Sequence, residues 1–319
     1  MAAAHLALPG KDVFMNEDKI QQIKALKKEK NAVILAHYYV KPEVQAIADY
    51  IGDSFYLSKL AVSLDNPVIV FCGVSFMGES AKLLNPDKTV LMPEPTADCP
   101  MAHMVTEQVV EQARKTYEDL AVVCYINSTA EIKSWSDVCV TSANAVKIVK
   151  NLPNKNILFI PDRNLGHYVA SQVPDKHFIY NEGFCPRHEY MSADEIKEAK
   201  AAHPDAKVLV HPECNPDIIK LADYIGSTSG IINYAKEHKE EKEFIIGTVV
   251  GVIYKLEEER PDAAFYFPKT EPVCVNMDKI TLDHVIHVLE TGENEVSLPP
   301  KEHEEKAKEA LHQMLLLAK

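Results

Sequence analysis

Seven cysteines are spread through the 319 residues, and none belongs to a CxxC pair, the spacing common in zinc and dithiol motifs. Three of them keep a register. Cys99, Cys185 and Cys274 stand 50, 48 and 51 residues after Asp49, Asp137 and Asp223. Other chemistry-bearing residues keep the same register. His37, Tyr125 and His211 stand 12 residues before those aspartates, and Tyr39, Asn127 and Glu213 stand 10 before. Ser54, Ser142 and Thr228 stand 5 after. Cys72, Cys124, Cys139 and Cys214 have no counterparts. The first three lie in apolar runs and read as small buried hydrophobes; Cys214 directly follows Glu213.

The register is that of an internal repeat. AlaAspTyrIleGlyAspSer at 48–54 returns as AlaAspTyrIleGlySerThr at 222–228, with a weaker copy, SerAspValCysValThrSer, at 136–142. Apolar runs flank each copy: 33–39, 122–127 and 208–213 before it, and 67–73, 156–162 and 244–250 after it. The runs have the length of buried strands, and segments such as PEVQAIADY and GESAKLLN between them have helical spacing. Alternating strands and helices predict parallel sheets with helices on both faces. The expected fold is therefore α/β: three pseudo-symmetric three-layer αβα units with small parallel sheets, arranged around a central pseudo-threefold axis. The units span 30–118, 119–205 and 206–295. An N-terminal helical extension (1–29, with a solvated helix from Asn16 to Lys30) precedes them, and a C-terminal helix (296–319) follows. The Lys/Glu-rich stretch 236–243 reads as a solvated helix face.

Ligands of open parallel sheets sit beyond the carboxyl ends of the strands, where every residue of the register falls. Around a threefold axis the three thiols would meet. Three thiolates suit a [4Fe–4S] cube, whose fourth iron then lacks a protein ligand and can act as a Lewis acid. Zinc is the competing metal. Ser54, Ser142 and Thr228 should N-cap the next helices and offer seats to carboxylate or phosphate. Glu213 is a candidate general base whose pKa burial could raise. Tyr125 and Tyr39 can hydrogen-bond a carbonyl and exchange a proton. His37 and His211 can donate to a carboxylate or shuttle protons. His188, three residues after Cys185, should face the same region, and Asn127 can orient a carboxylate. Arg163 and Arg187 are candidates for phosphate or for a structural role.

Composition narrows the classes. Lys plus Arg is 34 and Asp plus Glu is 47, a formal charge of −13, which disfavours a nucleic-acid surface. The longest apolar stretch, Phe244 to Tyr254, has 11 residues, where a membrane span needs roughly 20. The start, MAAAHLALPGKDVF, has no secretory pattern, and an odd cysteine count fits a reducing cytoplasm.

The segments AHYYVKPEVQAIADYIGDS, CGVSFMGESAKLLNP, PTADCPMAHM, YINSTAEIKSWSDVCVTSANA, PDRNLGHYVA, NEGFCPRHE, HPECNP, ADYIGSTSG and CVNMDKITL, in this order, resemble the quinolinate synthase family over about residues 30–290. The resemblance implies a triangular protein around one [4Fe–4S] cluster on Cys99, Cys185 and Cys274. It implies condensation of iminoaspartate (iminosuccinate) with dihydroxyacetone phosphate to quinolinate, releasing phosphate and two waters, in NAD biosynthesis in the cytoplasm. It assigns substrate contacts to His37, Ser54, Tyr125, Asn127, Ser142, His211, Glu213 and Thr228, with Tyr39 and His188 nearby. L-aspartate oxidase or aspartate dehydrogenase would supply the imine. With no fused sulfur-transfer domain expected, iron–sulfur assembly machinery would supply the cluster. Asp98 departs from the family pattern, where a small residue is expected before the first ligand. A different cluster-dependent hydro-lyase and a non-catalytic iron–sulfur sensor are the alternatives. A compact radical S-adenosylmethionine motif is absent.

Overall fold

The computed structural model describes residues 16–319; the segment read for a secretory pattern and the first half of the N-terminal extension lie outside them. Twelve strands form three separate four-stranded sheets among these residues, every pairing parallel. The first holds β1 (Ala32–His37), β2 (Tyr50–Gly52), β3 (Val68–Cys72) and β4 (Thr89–Leu91), in the order β2-β1-β3-β4. The second holds β5 (Leu120–Tyr125), β6 (Val138–Val140), β7 (Asn156–Ile160) and β8 (His177–Tyr180), in the order β6-β5-β7-β8. The third holds β9 (Lys207–Val210), β10 (Tyr224–Ile225), β11 (Glu243–Gly247) and β12 (Ala264–Tyr266), in the order β10-β9-β11-β12. The same order three times over is the structural form of the repeat. Central strands such as β1 are buried along their whole length, because helices cover both faces of a parallel sheet.

The repeated aspartates prove to be clasps between strands. Asp49, Asp137 and Asp223 each accept a hydrogen bond from the backbone N–H of the neighbouring first strand, at Ile34 (2.8 Å), Val122 (2.7 Å) and Val208 (2.8 Å). Each also donates its own N–H to the carbonyl of that same residue. One side chain thereby sets the register of the outer strand in every sheet, which accounts for the strength of this landmark in the sequence.

A cation closes the far end of the helix after each clasp in two of the three units. Lys88 bonds the carbonyls of Ala61 and Leu64 at the end of helix Ser54–Ser63. Arg260 bonds those of Ala235, His238 and Glu241 at the end of helix Thr228–Glu237. In the second unit Lys176 bonds Leu152 and Asn154 just past helix Ala145–Asn151. Cations suit these carbonyl-rich ends.

Two sequence expectations are revised. The helix Glu17–Glu29, capped by Asn16, is not solvated all round: Ile20 and Ile23 are buried against helix Leu282–Thr291, and Lys19 meets Asp283 at 2.7 Å. Residues 236–243 are not one helix face, because the helix ends at Glu237 and Glu243 already opens β11. The C-terminal helix, Lys301–Leu317, packs Ala307, Ala310, Leu311 and Met314 onto the second unit and onto helix Ser75–Leu84. No helix among the described residues is long and apolar enough to cross a membrane.

Candidate active site

Each sheet delivers side chains from the carboxyl ends of its strands to one cavity of about 130 Å³, where a single water needs roughly 10–15 Å³. His37 ends β1, Tyr125 ends β5 and His211 directly follows β9. Tyr39, Asn127 and Glu213, two residues on, line the same space. So do Ser54, Ser142 and Thr228. Cys99, Cys185 and Cys274 reach it from the loops after β4, β8 and β12, and none forms a disulfide. His188 and Arg187 lie on its wall. Arg163 does not: it pairs with Glu189 (2.6 Å) and Glu182 (3.4 Å) and lies over the Phe184 ring. Cys72, Cys124, Cys139 and Cys214 are buried elsewhere, Cys124 and Cys139 as neighbours across β5 and β6.

His37 and His211 are held alike. The backbone N–H of Tyr39 donates to His37 Nδ1 (3.2 Å), and that of Glu213 donates to His211 Nδ1 (3.3 Å). Burial pushes both imidazoles down to about 3, against the opposing charge of Glu213. They are therefore neutral near pH 7, with the proton on Nε2, and His211 Nε2–H donates to Ser142 Oγ at 3.1 Å.

Glu213 is 4% exposed yet well supplied with donors. Tyr125 donates to Oε1 at 2.6 Å, and His188 Nδ1 lies 2.7 Å from Oε2. Burial alone would raise this carboxyl, but His211, His188 and the donated hydrogen bonds hold it well below the usual range. This reverses the expectation of a raised pKa. The donors come from the second unit, which the local sequence around Glu213 does not reveal. Tyr125 and Tyr39 are pushed well above the ordinary phenol value, first by burial and then by the Glu213 charge.

The serine and threonine hydroxyls do not cap. Asp53 and Ser227, one residue earlier, cap the helices Ser54–Ser63 and Thr228–Glu237. Ser54 and Thr228 are thereby first helical residues, with their side chains on the cavity. In the second unit the helix begins only at Ala145. Thr141, the register counterpart of Asp53 and Ser227, consequently caps nothing. Its buried Oγ1, like Asn127 Oδ1, has no partner among the described residues, and both residues line the cavity.

Sequence reasoning missed Thr141, Thr248 and Asp162. Thr248 is fully buried, with its Oγ1 2.7 Å from Tyr39 OH and 2.9 Å from His188 Nε2. It follows β11, where the equivalent residues after β3 and β7 are Gly73 and Pro161, so symmetry gives no sign of it. Asp162 is buried behind Cys185, accepts the N–H groups of Leu165 (2.8 Å) and Cys185 (3.2 Å), and is raised by burial and by Glu213. Asp98 does the same for Cys99 N–H (2.8 Å) and pairs with His103 at 2.6 Å.

The donor set fits an iron–sulfur group. Burial pushes Cys99 to about 12, and the charges of Cys274 and Glu213 push the same way; Cys185 and Cys274 are raised as well. Thiolates here need a cationic centre among them, as a metal cluster supplies. Among the described residues, ligand atoms of Cys185, His188 and Glu213 also lie within 4.8 Å of one another.

Comparison with known proteins places the chain in a family. The family model described as "Quinolinate synthetase A protein" matches residues 21–316. The quinolinate synthase of Clostridioides difficile is 51% identical over 304 residues, 95% of this chain and 99% of that protein. That of Caldicellulosiruptor saccharolyticus is 49% identical over 95% of this chain and all of that protein, and that of Aquifex aeolicus 48% over 93% and 94%. The chain belongs to the quinolinate synthase family.

Proposed function

We propose that this enzyme condenses iminoaspartate with dihydroxyacetone phosphate, releasing phosphate and two waters and forming quinolinate, with a [4Fe–4S] cluster held by Cys99, Cys185 and Cys274. The observation that carries the reading is the meeting of one thiol from each of three sheets with the strand-end polar residues in a single cavity. When bound, the cluster supplies an iron without a protein ligand, a Lewis acid for substrate oxygens.

The chain's own residues bind, orient and move protons. The neutral Nε2–H of His37 donates to a substrate carboxylate without adding charge, and that of His211 does so on exchanging its Ser142 partner for the substrate. The amino ends of helices Ser54–Ser63 and Thr228–Glu237 favour further anionic oxygens. Arg187, the one Lys or Arg on the cavity wall among the described residues, answers phosphate or carboxylate. Asn127 Oδ1 and Thr141 Oγ1 need partners, and the imine and hydroxyl groups of the substrates offer them. Glu213 accepts protons and Tyr125 returns them, the phenol already lying 2.6 Å from the carboxylate. A small, largely buried site keeps water from the imine. A cytoplasmic setting and delivery of imine by an aspartate-oxidising enzyme follow from the lability of that substrate.

The test is anaerobic. Protein supplied with both substrates should release one phosphate per quinolinate and be brown, and replacing Cys99, Cys185 or Cys274 by Ser should abolish the colour while Cys72→Ser keeps it. Quinolinate formed without the triose phosphate, or colour lost on Cys72→Ser alone, would refute the reading. A second reading rests on the Cys185–His188–Glu213 grouping, which a single metal ion would suit. It predicts one metal per chain, where the cluster predicts about four irons.

A further inference from the structure

Among the described residues, three buried nitrogen groups cross the unit boundaries, each at a strand-end loop. Gln45 stands four residues before Asp49, and Lys133 four before Asp137. Gln45 Nε2 donates to the carbonyls of Tyr38 (3.0 Å) and Val40 (2.9 Å), on either side of Tyr39, and to that of Gly251 in the third unit (2.9 Å). Lys133 Nζ donates to the carbonyl of Ser128, the residue after Asn127, and lies 3.5 Å from that of Phe76 in the first unit. The third unit has apolar Ile219 at this register, and its loop is held from the other side. There Asn164 Nδ2, in the second unit, donates to the carbonyl of Glu213 (3.0 Å) and to Glu189 Oε2 (2.7 Å).

The far ends of these contacts match as well. Phe76, Asn164 and Gly251 stand 27, 27 and 28 residues after Asp49, Asp137 and Asp223. Each lies in the helical segment that follows β3, β7 or β11. The contacts therefore run in one sense around the molecule: first loop onto third unit, second onto first, third onto second.

Stability gives little reason for them. Burying an ammonium or an amide costs free energy that its hydrogen bonds at best offset, and Lys133 is fully buried, Gln45 1% and Asn164 5% exposed. Ile219 shows that an apolar side chain serves at the same register. What the polar groups add is direction, because each fixes the main chain at a residue that lines the cavity: Tyr39, Asn127 or Glu213. At the first boundary Gly251 adds a second restraint. A Cβ there would come within 2.8 Å of the Tyr39 backbone, so the third unit is seated directly against this loop.

We propose that Gln45, Lys133 and Asn164 are positioning residues, tethers that set the three cavity loops by fastening each to the neighbouring unit. Their effect on turnover rests on the proposed reaction; their effect on the loops does not. The experiment compares hydrogen exchange in wild type, Gln45→Met, Lys133→Met and Asn164→Leu, with kcat and KM measured per cluster-loaded chain. Each variant should speed exchange at its own loop (38–41, 126–129 or 212–215) by at least about tenfold and leave the other two within about twofold. Gln45→Met should lower kcat at least about tenfold, with each KM within about threefold. Should it fail to fold, Gly251→Ala, which keeps the amide and crowds the Tyr39 backbone, should give the same fall. Exchange unchanged at the matching loop, or faster at all three alike, would overturn the tethers. So would wild-type kcat in Gln45→Met, or in Gly251→Ala where it takes that place. Loops that loosen as expected in a protein that forms no quinolinate would support the tethers and refute the reaction.

Discussion

His37 and His211 show how burial settles what an imidazole can do. Each ring accepts a backbone N–H at Nδ1, and burial holds its pKa at about 3, against 6.5 for the free residue. Between those two values the unfolded chain binds protons that the folded chain refuses. Stability should therefore fall as pH drops from 6.5 toward 3, and these rings should contribute no pH dependence above 6.5. Urea midpoints across that window should slope less steeply in His37→Gln than in wild type; equal slopes would show that this ring is not held neutral. Glu213 sits between two donors and should carry proton transfer with Tyr125. Glu213→Gln and Tyr125→Phe should each lower kcat by roughly 10²- to 10⁴-fold with little change in thermal midpoint. The positions of these side chains were legible in the sequence, because the register named equivalent strand ends. The ionisation of Glu213 was not, because beside the neighbouring His211 it is set by His188 and Tyr125, which come from a different unit.

At the scale of elements, the repeat in the sequence is a record of strand docking. Each conserved-in-register aspartate ties an outer strand to a central one through two backbone contacts. Asp137→Ala should cost roughly 1–3 kcal/mol, since the Val122 N–H loses a charged acceptor; an unchanged urea midpoint would deny the clasp. Arg260 is 3% exposed and serves three carbonyls. Arg260→Met should therefore destabilise more than Lys88→Met, whose cation reaches two carbonyls, by the same measurement. Strands and helices followed from apolar runs and helical spacing. Helix starts were misplaced by one residue because Asp53 and Ser227 compete for the cap with the hydroxyls that follow them. The late start at Ala145, which leaves Thr141 unpaired, had no sequence signal beyond the weaker match of the second copy. The N-terminal helix looked solvated because its two buried isoleucines answer a helix about 260 residues away in the chain.

For the whole molecule, triplication explains how single cysteines far apart in sequence share one site. The carboxyl ends of three parallel sheets face a common cavity, and each last strand is followed by a loop bearing a thiol. The sheets have the same strand order, but their roles have diverged: the first and second each contribute a phenol, the third the carboxylate, and Thr248 has no counterpart in the other two. Symmetry reasoning finds the shared frame and passes over what one unit alone has acquired. The N-terminal helix seats on helix Leu282–Thr291 and β1, and the C-terminal helix on the second unit and helix Ser75–Leu84; neither helix lines the cavity. The most direct measurement is anomalous scattering at the iron edge from anaerobically grown crystals. The account predicts one compact group of irons in the cavity, bonded to the sulfurs of Cys99, Cys185 and Cys274. A lone ion on Cys185, His188 and Glu213, with the other two sulfurs unbound, would contradict it.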